Sequence, residues 1–308
     1  MSGLLAANML RSNEVMIYEA QASLPNNHHA LLRFRSSAVE HALGIPFKKV
    51  RVIKDVHMEG YNSKLSPALS YGMKVASSSG LRSIVSAMEG EICERYIAPL
   101  NLVELMARNV QVMYNVNYDI GLKEAINDDP ESVTISTLPM NILAQVLGYE
   151  FSKHVKFESV SGTVISADLN TEVYASLYIP QPELAPYRIS VTGHRLLIEY
   201  LPNLLRTAPQ EAREAQVEMA LALLGLQGTA YKNVDGHHQK YAKILPVPEE
   251  ERKRFILWAT EKHRVFSLGR YATWRPGLLM DDVVNDVRVI QSMIEYGTAG
   301  KFYQMRKS

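Results

Sequence analysis

Short stretches with the pattern of strands recur along the first half of the chain. Residues 15–18 (VMIY) are a continuous apolar run before Glu19, residues 110–114 (VQVMY) alternate, and residues 132–137 (SVTIST) are rich in β-branched residues and stop at Pro139. Nearly continuous apolar runs of this length are typical of parallel strands covered on both faces. The pattern therefore predicts an α/β fold with parallel strands.

Other segments have the composition and the ends of helices. Residues 2–10 (SGLLAANML) are small and apolar and predict a tightly packed helix. Residues 36–43 predict a short helix that Gly44 closes, because a glycine just past the last turn is a common helix end. Further helices are predicted at residues 141–147, 210–224, 249–263 and 281–296.

The middle of the chain is dense in β-branched and aromatic residues. Short strands are predicted there at residues 163–165, 173–179, 187–191 and 196–200. Such a cluster predicts an antiparallel sheet on the substrate side, inserted between α/β segments. Before it, residues 61–80 predict a loop because they are rich in serine and glycine, and residues 84–108 predict helical stretches around Pro99.

Composition narrows the function classes. The 308 residues are 47% hydrophobic and carry a net charge of +1, so no overall field recruits nucleic acid or an anionic membrane. The single cysteine, Cys93, excludes an intramolecular disulfide and a multi-cysteine zinc site, and His237 and His238 have no partner at ligand spacing. No run approaches the about 20 apolar residues that span a bilayer. We expect a cytoplasmic enzyme without metal, and the oligomeric state stays open.

Gly3 and Glu19 have the spacing of part of a dinucleotide-binding fingerprint. That motif places a glycine turn before a helix whose N-terminus faces the pyrophosphate, and an acid about 20 residues further on. If Gly3 is the third glycine, the first strand and the first two glycines would lie upstream of Met1. Helix packing for Gly3, and a solvated strand end for Glu19, are the alternatives.

A second arrangement of strand, loop and helix start lies near the end of the sequence. Residues 265–268 predict a strand, residues 269–277 a loop, and residues 278–284 the start of a helix. Backbone N–H groups at a helix start suit a phosphate or the negative charge of a reduced flavin. The alternative is a capped helix in which Asp281 and Asp282 complement the helix dipole.

Together, the segments SGLLAANML, IYEA, VQVMYNV, VTISTLPM, PYRISVTGHRLLIEY and LGRYATWRPGLLMDDVV resemble flavin-dependent oxidoreductases of the glutathione-reductase-like superfamily. Their order is most similar to UDP-galactopyranose mutases and to small flavin-dependent oxidoreductase-like proteins encoded by bacteriophages. The resemblance covers nearly the whole chain, and the segment from GRYATW to MDDVV is its specific part. It implies an N-terminally truncated Rossmann-like FAD-binding domain with an inserted β-rich α+β substrate domain.

The resemblance also implies a division of the chain and a set of cofactor residues. A discontinuous FAD-binding domain would comprise residues 1–60, 100–150 and 255–308, and the substrate-side insertion residues 61–99 and 151–254. The residues that it implies for FAD binding are Gly3, Glu19, Arg33, Val112, Ser136, Thr137, Gly269, Arg270, Met280 and Asp281.

Substrate residues are expected in the β-rich insertion. The candidates there are Tyr178, Tyr187, Arg188, His194 and Arg195. An arginine could hold a phosphate or a carboxylate with two hydrogen bonds, although the polar face of a half-solvated sheet uses the same residue types. The resulting hypothesis is an FAD-dependent oxidoreductase-like enzyme whose small-molecule substrate binds between the flavin domain and the insertion. The alternatives are a UDP-galactopyranose-mutase-like nucleotide-sugar mutase and a truncated, non-catalytic binding or structural relative.

Overall fold

Two short parallel sheets form one part of the fold. The structure is a computed structural model that describes residues 1–11, 14–24, 33–61, 65–76, 84, 87, 90–117, 122, 132–201 and 207–296. In it β1 (Met16–Tyr18) pairs with β5 (Gln111–Met113), and β10 (Val265–Ser267) pairs with β6 (Thr134–Ser136). Both pairs are parallel, which confirms the predicted α/β class.

Helices pack around these strands in one apolar core. This core joins α1 (Ser2–Met9), α2 (Ala38–Leu43), α4 (Leu102–Ala107) and α8 (Met280–Glu295). Four successive residues of α1 are buried, so this helix is enclosed on most sides, as its small and apolar sequence predicts. Helix α2 ends at Gly44, whose φ of +66° lies in the left-handed region that glycine adopts without strain.

The larger sheet has six strands within the described residues. They run in the order β2 (Arg33–Phe34), β4 (Glu91–Ile97), β3 (Lys48–Val56), β7 (Ser159–Tyr178) and β8 (Pro186–Tyr200), and β9 (Tyr231–Ile244) also pairs with β7. Only β3 and β7 are parallel among these pairs. One face of β7 and β8 packs on α6 (Gln210–Leu223) through a wholly apolar core. The predicted β-rich sheet is confirmed, with two long strands in place of four short ones.

A third core, rich in aromatic rings, lies behind β6 and β10. It joins α5 (Met140–Leu147) to α7 (Glu249–His263), and its centre is the fully buried ring of Phe255. Helix α7 has acidic residues in its first turn and Lys262 and His263 in its last, which complements the helix dipole. Within the described residues, no helix combines the length and the hydropathy that a bilayer crossing requires.

Two local predictions are wrong. Residues 61–80, expected as a loop, contain α3 (Leu65–Ala76), which tolerates Pro67 because the first helical turn does not need its N–H group. Residues 84–108, expected to be helical around Pro99, contain the strand β4 before α4. The long strands β3 and β9 were not predicted from the sequence.

The division into a flavin domain and a substrate-side insertion stays a prediction. Strands β2 and β3 lie in the first segment assigned to the flavin domain, yet their hydrogen bonds join them to the six-stranded sheet. Helices α1 and α2 of the same segment pack in the core around α8. The segment 33–56 therefore contributes two strands to the six-stranded sheet and one helix to the core around α8.

Candidate functional site

A cavity of about 800 Å³ lies between the six-stranded sheet and the starts of α1 and α8. Met1 and Ser2 line it from α1, and Thr137 and Leu268 line it just beyond the carboxyl ends of β6 and β10. Open α/β folds bind their ligands at the carboxyl ends of parallel strands. The cavity therefore occupies the position where this architecture places a ligand.

The roof of the cavity is closed by a turn that requires glycine. Gly269 has a φ of +93°, and a Cβ atom added to it would lie 2.7 Å from Ser2 Oγ. Just beyond the turn, the Arg270 guanidinium donates hydrogen bonds of 2.9 and 3.2 Å to the carbonyl oxygen of Leu278. These contacts hold the turn against α1 and lead the chain into α8.

We expect Gly269→Ala to lower the free energy of unfolding by about 1–3 kcal/mol, because alanine is strained at positive φ and its methyl group meets Ser2. Chemical denaturation measures this change. Gly60→Ala is the matched control, since Gly60 has a φ of +82° and open space around it. The contact with Ser2 predicts a larger loss at Gly269, and equal losses at the two positions would contradict it.

The start of α8 is capped within the protein. The Asp282 carboxylate accepts a hydrogen bond of 2.8 Å from the backbone N–H of Leu279. Asp281 accepts hydrogen bonds from the backbone N–H and the hydroxyl of Ser36, at 2.8 and 2.6 Å. The structure therefore contains the capped helix that the sequence left as an alternative, and Asp281 ties α8 to the segment that follows β2.

Polar side chains from five adjacent strands cover the opposite wall. Lys54 of β3 lies between Glu91 of β4 and Ser176 of β7, and Tyr178 lies opposite Arg188 of β8. Side chains two apart on a strand share a face, so the strand register brings these groups to one surface. We call this wall the polar floor; its members are Arg33, Lys54, Glu91, Arg95, Ser176, Tyr178 and Arg188.

Arg188 is held from behind by a buried carboxylate. Its Nε and Nη2 both donate to Glu199, whose Oε1 also accepts a hydrogen bond of 2.7 Å from the Tyr187 hydroxyl. Although burial opposes ionisation, the charge of Arg188 holds the pKa of Glu199 below its ordinary value. The network fixes Arg188 in place and engages its Nε and Nη2 donors.

Arg33 differs from Arg188 because its guanidinium lacks a carboxylate partner among the described residues. Nη2 donates to Ser176 Oγ at 2.8 Å, while Nη1 is buried and has no hydrogen-bond acceptor in the described part of the chain. Burial, followed by the charge of Arg188, lowers the pKa of Arg33 to about 10. The floor thus contains a positive charge that is poorly compensated.

Eight of the residues named from the sequence meet at this cavity. They are Arg33, Thr137, Tyr178, Arg188, Gly269, Arg270, Met280 and Asp281. The other named residues lie beyond its lining. Tyr187 is buried behind Arg188, and Arg195 is held on the same sheet by Asp168 and Ser166, at 2.7 and 2.8 Å. His194 Nδ1 lies 3.2 Å from the carbonyl oxygen of Leu169.

The remaining four predicted residues lie around the parallel strands. A Cβ atom on Gly3 would make an ordinary contact of 3.7 Å with the Thr137 methyl group. Glu19 follows β1, and Val112 lies in β5 opposite Ile17. The buried Ser136 hydroxyl accepts a hydrogen bond from the N–H of Leu138. Lys54, Glu91, Arg95 and Ser176 were missed, because their convergence depends on strand register.

The same fold occurs in solved structures of known proteins. UDP-galactopyranose mutase in its reduced form superposes with a TM-score of 0.62 at 11% identity, covering 96% of this chain and 93% of that chain. The chain has the fold of this enzyme. A putative protoporphyrinogen oxidase from Exiguobacterium sp. 255-15 superposes at 0.55 with 9% identity, covering 96% of each chain. A p-nitrophenol 4-monooxygenase from Pseudomonas putida superposes at 0.51 with 11% identity, covering 97% of this chain and 79% of that one.

At identities of 9–11%, the feature shared with these proteins is the fold. The resemblance identified from the sequence is thereby confirmed at that level. No protein-family model matches the sequence, and no curated protein matches it. The assignment of a reaction therefore depends on the cavity and its side chains.

Proposed function

We propose that this protein is an FAD-dependent oxidoreductase-like enzyme that acts on a small molecule held on the polar floor. The observation that carries the proposal is the cavity itself, with the Gly269 turn and the starts of α1 and α8 on one side and the polar floor on the other. A volume of about 800 Å³ is in the range of cofactor and ligand sites.

The residues around the cavity fit a bound flavin nucleotide. The start of α1 offers backbone N–H groups to a pyrophosphate, and Glu19 at the end of β1 is available to the ribose hydroxyls. Gly269 and Arg270 line the cavity between the starts of the two helices, where they would lie beside the cofactor. The start of α8 at Met280 would then lie beside the flavin ring.

Bound flavin supplies electron or hydride transfer, and the protein orients the substrate against it. Tyr178 and Ser176 present hydroxyl groups from the floor, where each can hold a substrate oxygen or nitrogen. Arg188, which Glu199 holds in place, adds a guanidinium group to the floor. Its electrostatic interactions become stronger as water leaves the cavity. The floor therefore positions a polar substrate, and the roof holds the redox group.

Filling the cavity should weaken cofactor binding. We expect Met280→Trp to weaken FAD binding by about tenfold or more, because Met280 lines the cavity where α8 begins. The measurement is a titration of cofactor-free protein with FAD, followed by flavin fluorescence. Leu100→Trp adds the same ring at a position that is 81% exposed and should leave the affinity unchanged. Equal affinities in both variants would count against this location.

A nucleotide-sugar mutase is the second candidate. The arginine-rich floor favours it, because guanidinium groups bind phosphates readily, and the superposition with UDP-galactopyranose mutase covers nearly the whole of both chains. A redox-neutral mutase leaves its flavin in the same state after turnover, whereas an oxidoreductase needs an electron acceptor or donor. Folded protein that takes up no FAD would contradict both the oxidoreductase and the mutase, and would favour a non-catalytic relative.

A further inference from the structure

The charges of the polar floor divide into paired and unpaired groups. Lys54 is paired with Glu91 at 2.8 Å, and Arg188 is paired with Glu199. Arg33 and Arg95 make no ion pair with a residue that the structure describes, and Arg95 Nη1 donates only to the carbonyl oxygen of Glu94. Among the described residues, these two guanidinium groups therefore have no carboxylate paired directly with them beside the cavity.

These two arginines are neighbours on the sheet. Arg33 of β2 lies opposite Ile97 of β4, and Arg95 is two residues before Ile97 on the same face. Diagonal neighbours of this kind are within reach of one another when their side chains are long. The two positive charges repel each other, and Arg188 adds to this repulsion at Arg33. An anion between them would relieve it.

Within the described part of the chain, the guanidinium group of Arg33 also has a free donor for such a ligand. Its hydrogen bond to Ser176 Oγ fixes one arm of the fork, while the buried Nη1 of the other arm has no acceptor among the described residues. A buried N–H group without an acceptor costs free energy, and this cost is recovered when an acceptor arrives. Arg33 lines the cavity, so an acceptor bound there can reach its guanidinium group.

We infer that Arg33, with Arg95 beside it, binds an oxyanion group of the substrate, a carboxylate or a phosphate. The inference deepens the proposed function and rests on it. The planar guanidinium matches both oxyanions with parallel hydrogen bonds. Arg188 and Arg195 do not have this role, because Glu199 occupies the first, and Asp168 and Ser166 occupy the second.

Isothermal titration of the FAD-loaded protein with benzoate, and separately with inorganic phosphate, tests the inference. One of the two probes should bind, which identifies the oxyanion class. We expect Arg33→Gln and Arg95→Gln each to weaken that binding by about tenfold or more, the effect of losing a charged hydrogen bond. Arg195→Gln is the matched control on the same sheet, outside the cavity, and should bind the probe like the unaltered protein.

The outcomes separate this inference from the proposed function. Unchanged probe binding in both Arg33→Gln and Arg95→Gln, or no binding of either probe to FAD-loaded protein, overturns the inference alone. A loss of FAD affinity with intact probe binding also overturns it, because the arginines then serve the cofactor's phosphates. Folded protein that takes up no FAD contradicts the proposed function. Arg95→Gln keeps the test open if Arg33→Gln fails to fold.

Discussion

Lys74→Met should lower the free energy of unfolding by about 3–5 kcal/mol. The Lys74 Nζ lies 2.6–3.1 Å from four backbone carbonyl oxygens around the turn between β7 and β8, and its three N–H groups are shared among them; these are the carbonyls of Ile179, Gln181, Leu184 and Pro186. Methionine has a similar length and no donor, so several part-buried acceptors lose their partner, at about 1–3 kcal/mol each before water replaces some of the bonds.

Urea unfolding of the Lys74→Met protein measures this loss. Lys48→Met is the matched control, because Lys48 is 61% exposed and water screens its pair with Glu172, so its loss should cost little stability. Hydrogen exchange at residues 179–187 should also increase in Lys74→Met and stay unchanged in the control. If the two variants lose equal stability, the four carbonyl contacts do not hold the turn.

Glu199→Leu is expected to lower the free energy of unfolding by about 3 kcal/mol. The substitution removes the only carboxylate that the described residues place against Arg188, and it also leaves the buried Tyr187 hydroxyl without its acceptor. Breaking one half of a buried ion pair costs more than removing both halves. The double variant Arg188→Met with Glu199→Leu should therefore regain part of the loss in thermal or urea unfolding.

A double variant that is less stable than Glu199→Leu would contradict this account of the pair. The pH dependence provides a second measurement. Since the pKa of Glu199 is lowered in the folded protein, its contribution is fully present above the unfolded value of about 4.3 and is lost as the pH falls through the folded value. Glu199→Leu should accordingly flatten the decline in stability below about pH 4.3.

Elements whose local signals agree with their surroundings could be predicted. Helix α7 was expected at residues 249–263 and begins and ends there, because Pro248 precedes it and its charged ends complement the dipole. Strand β4 was missed since its pattern is the reverse of a half-buried strand. Its cavity-facing positions are polar, whereas Ile92 on the other face is 65% exposed. The polar residues that β4 contributes to the polar floor thus remove the alternating pattern by which a strand is recognised in a sequence.

The sequence predicted chiefly those site residues that a local motif could indicate. Gly269 and Arg270 follow one another in the sequence, so a local motif could indicate them. Arg33 was expected to bind the cofactor, whereas we infer that it binds an oxyanion group of the substrate. Lys54 and Arg95 come from strands whose pairing depends on contacts between distant segments, and a single sequence does not contain that register.

The Gly269 turn against Ser2 also sets an order of events during biosynthesis. The polar floor belongs to residues 33–188, whereas its roof requires Gly269 and the start of α8. A chain that emerges from the ribosome N-terminus first can pair the strands of the floor well before α8 is made. Until then the arginines face solvent on an open sheet. The cavity therefore cannot close before the C-terminal segment is made, and slow synthesis of that segment would prolong the nascent chain's exposure to aggregation.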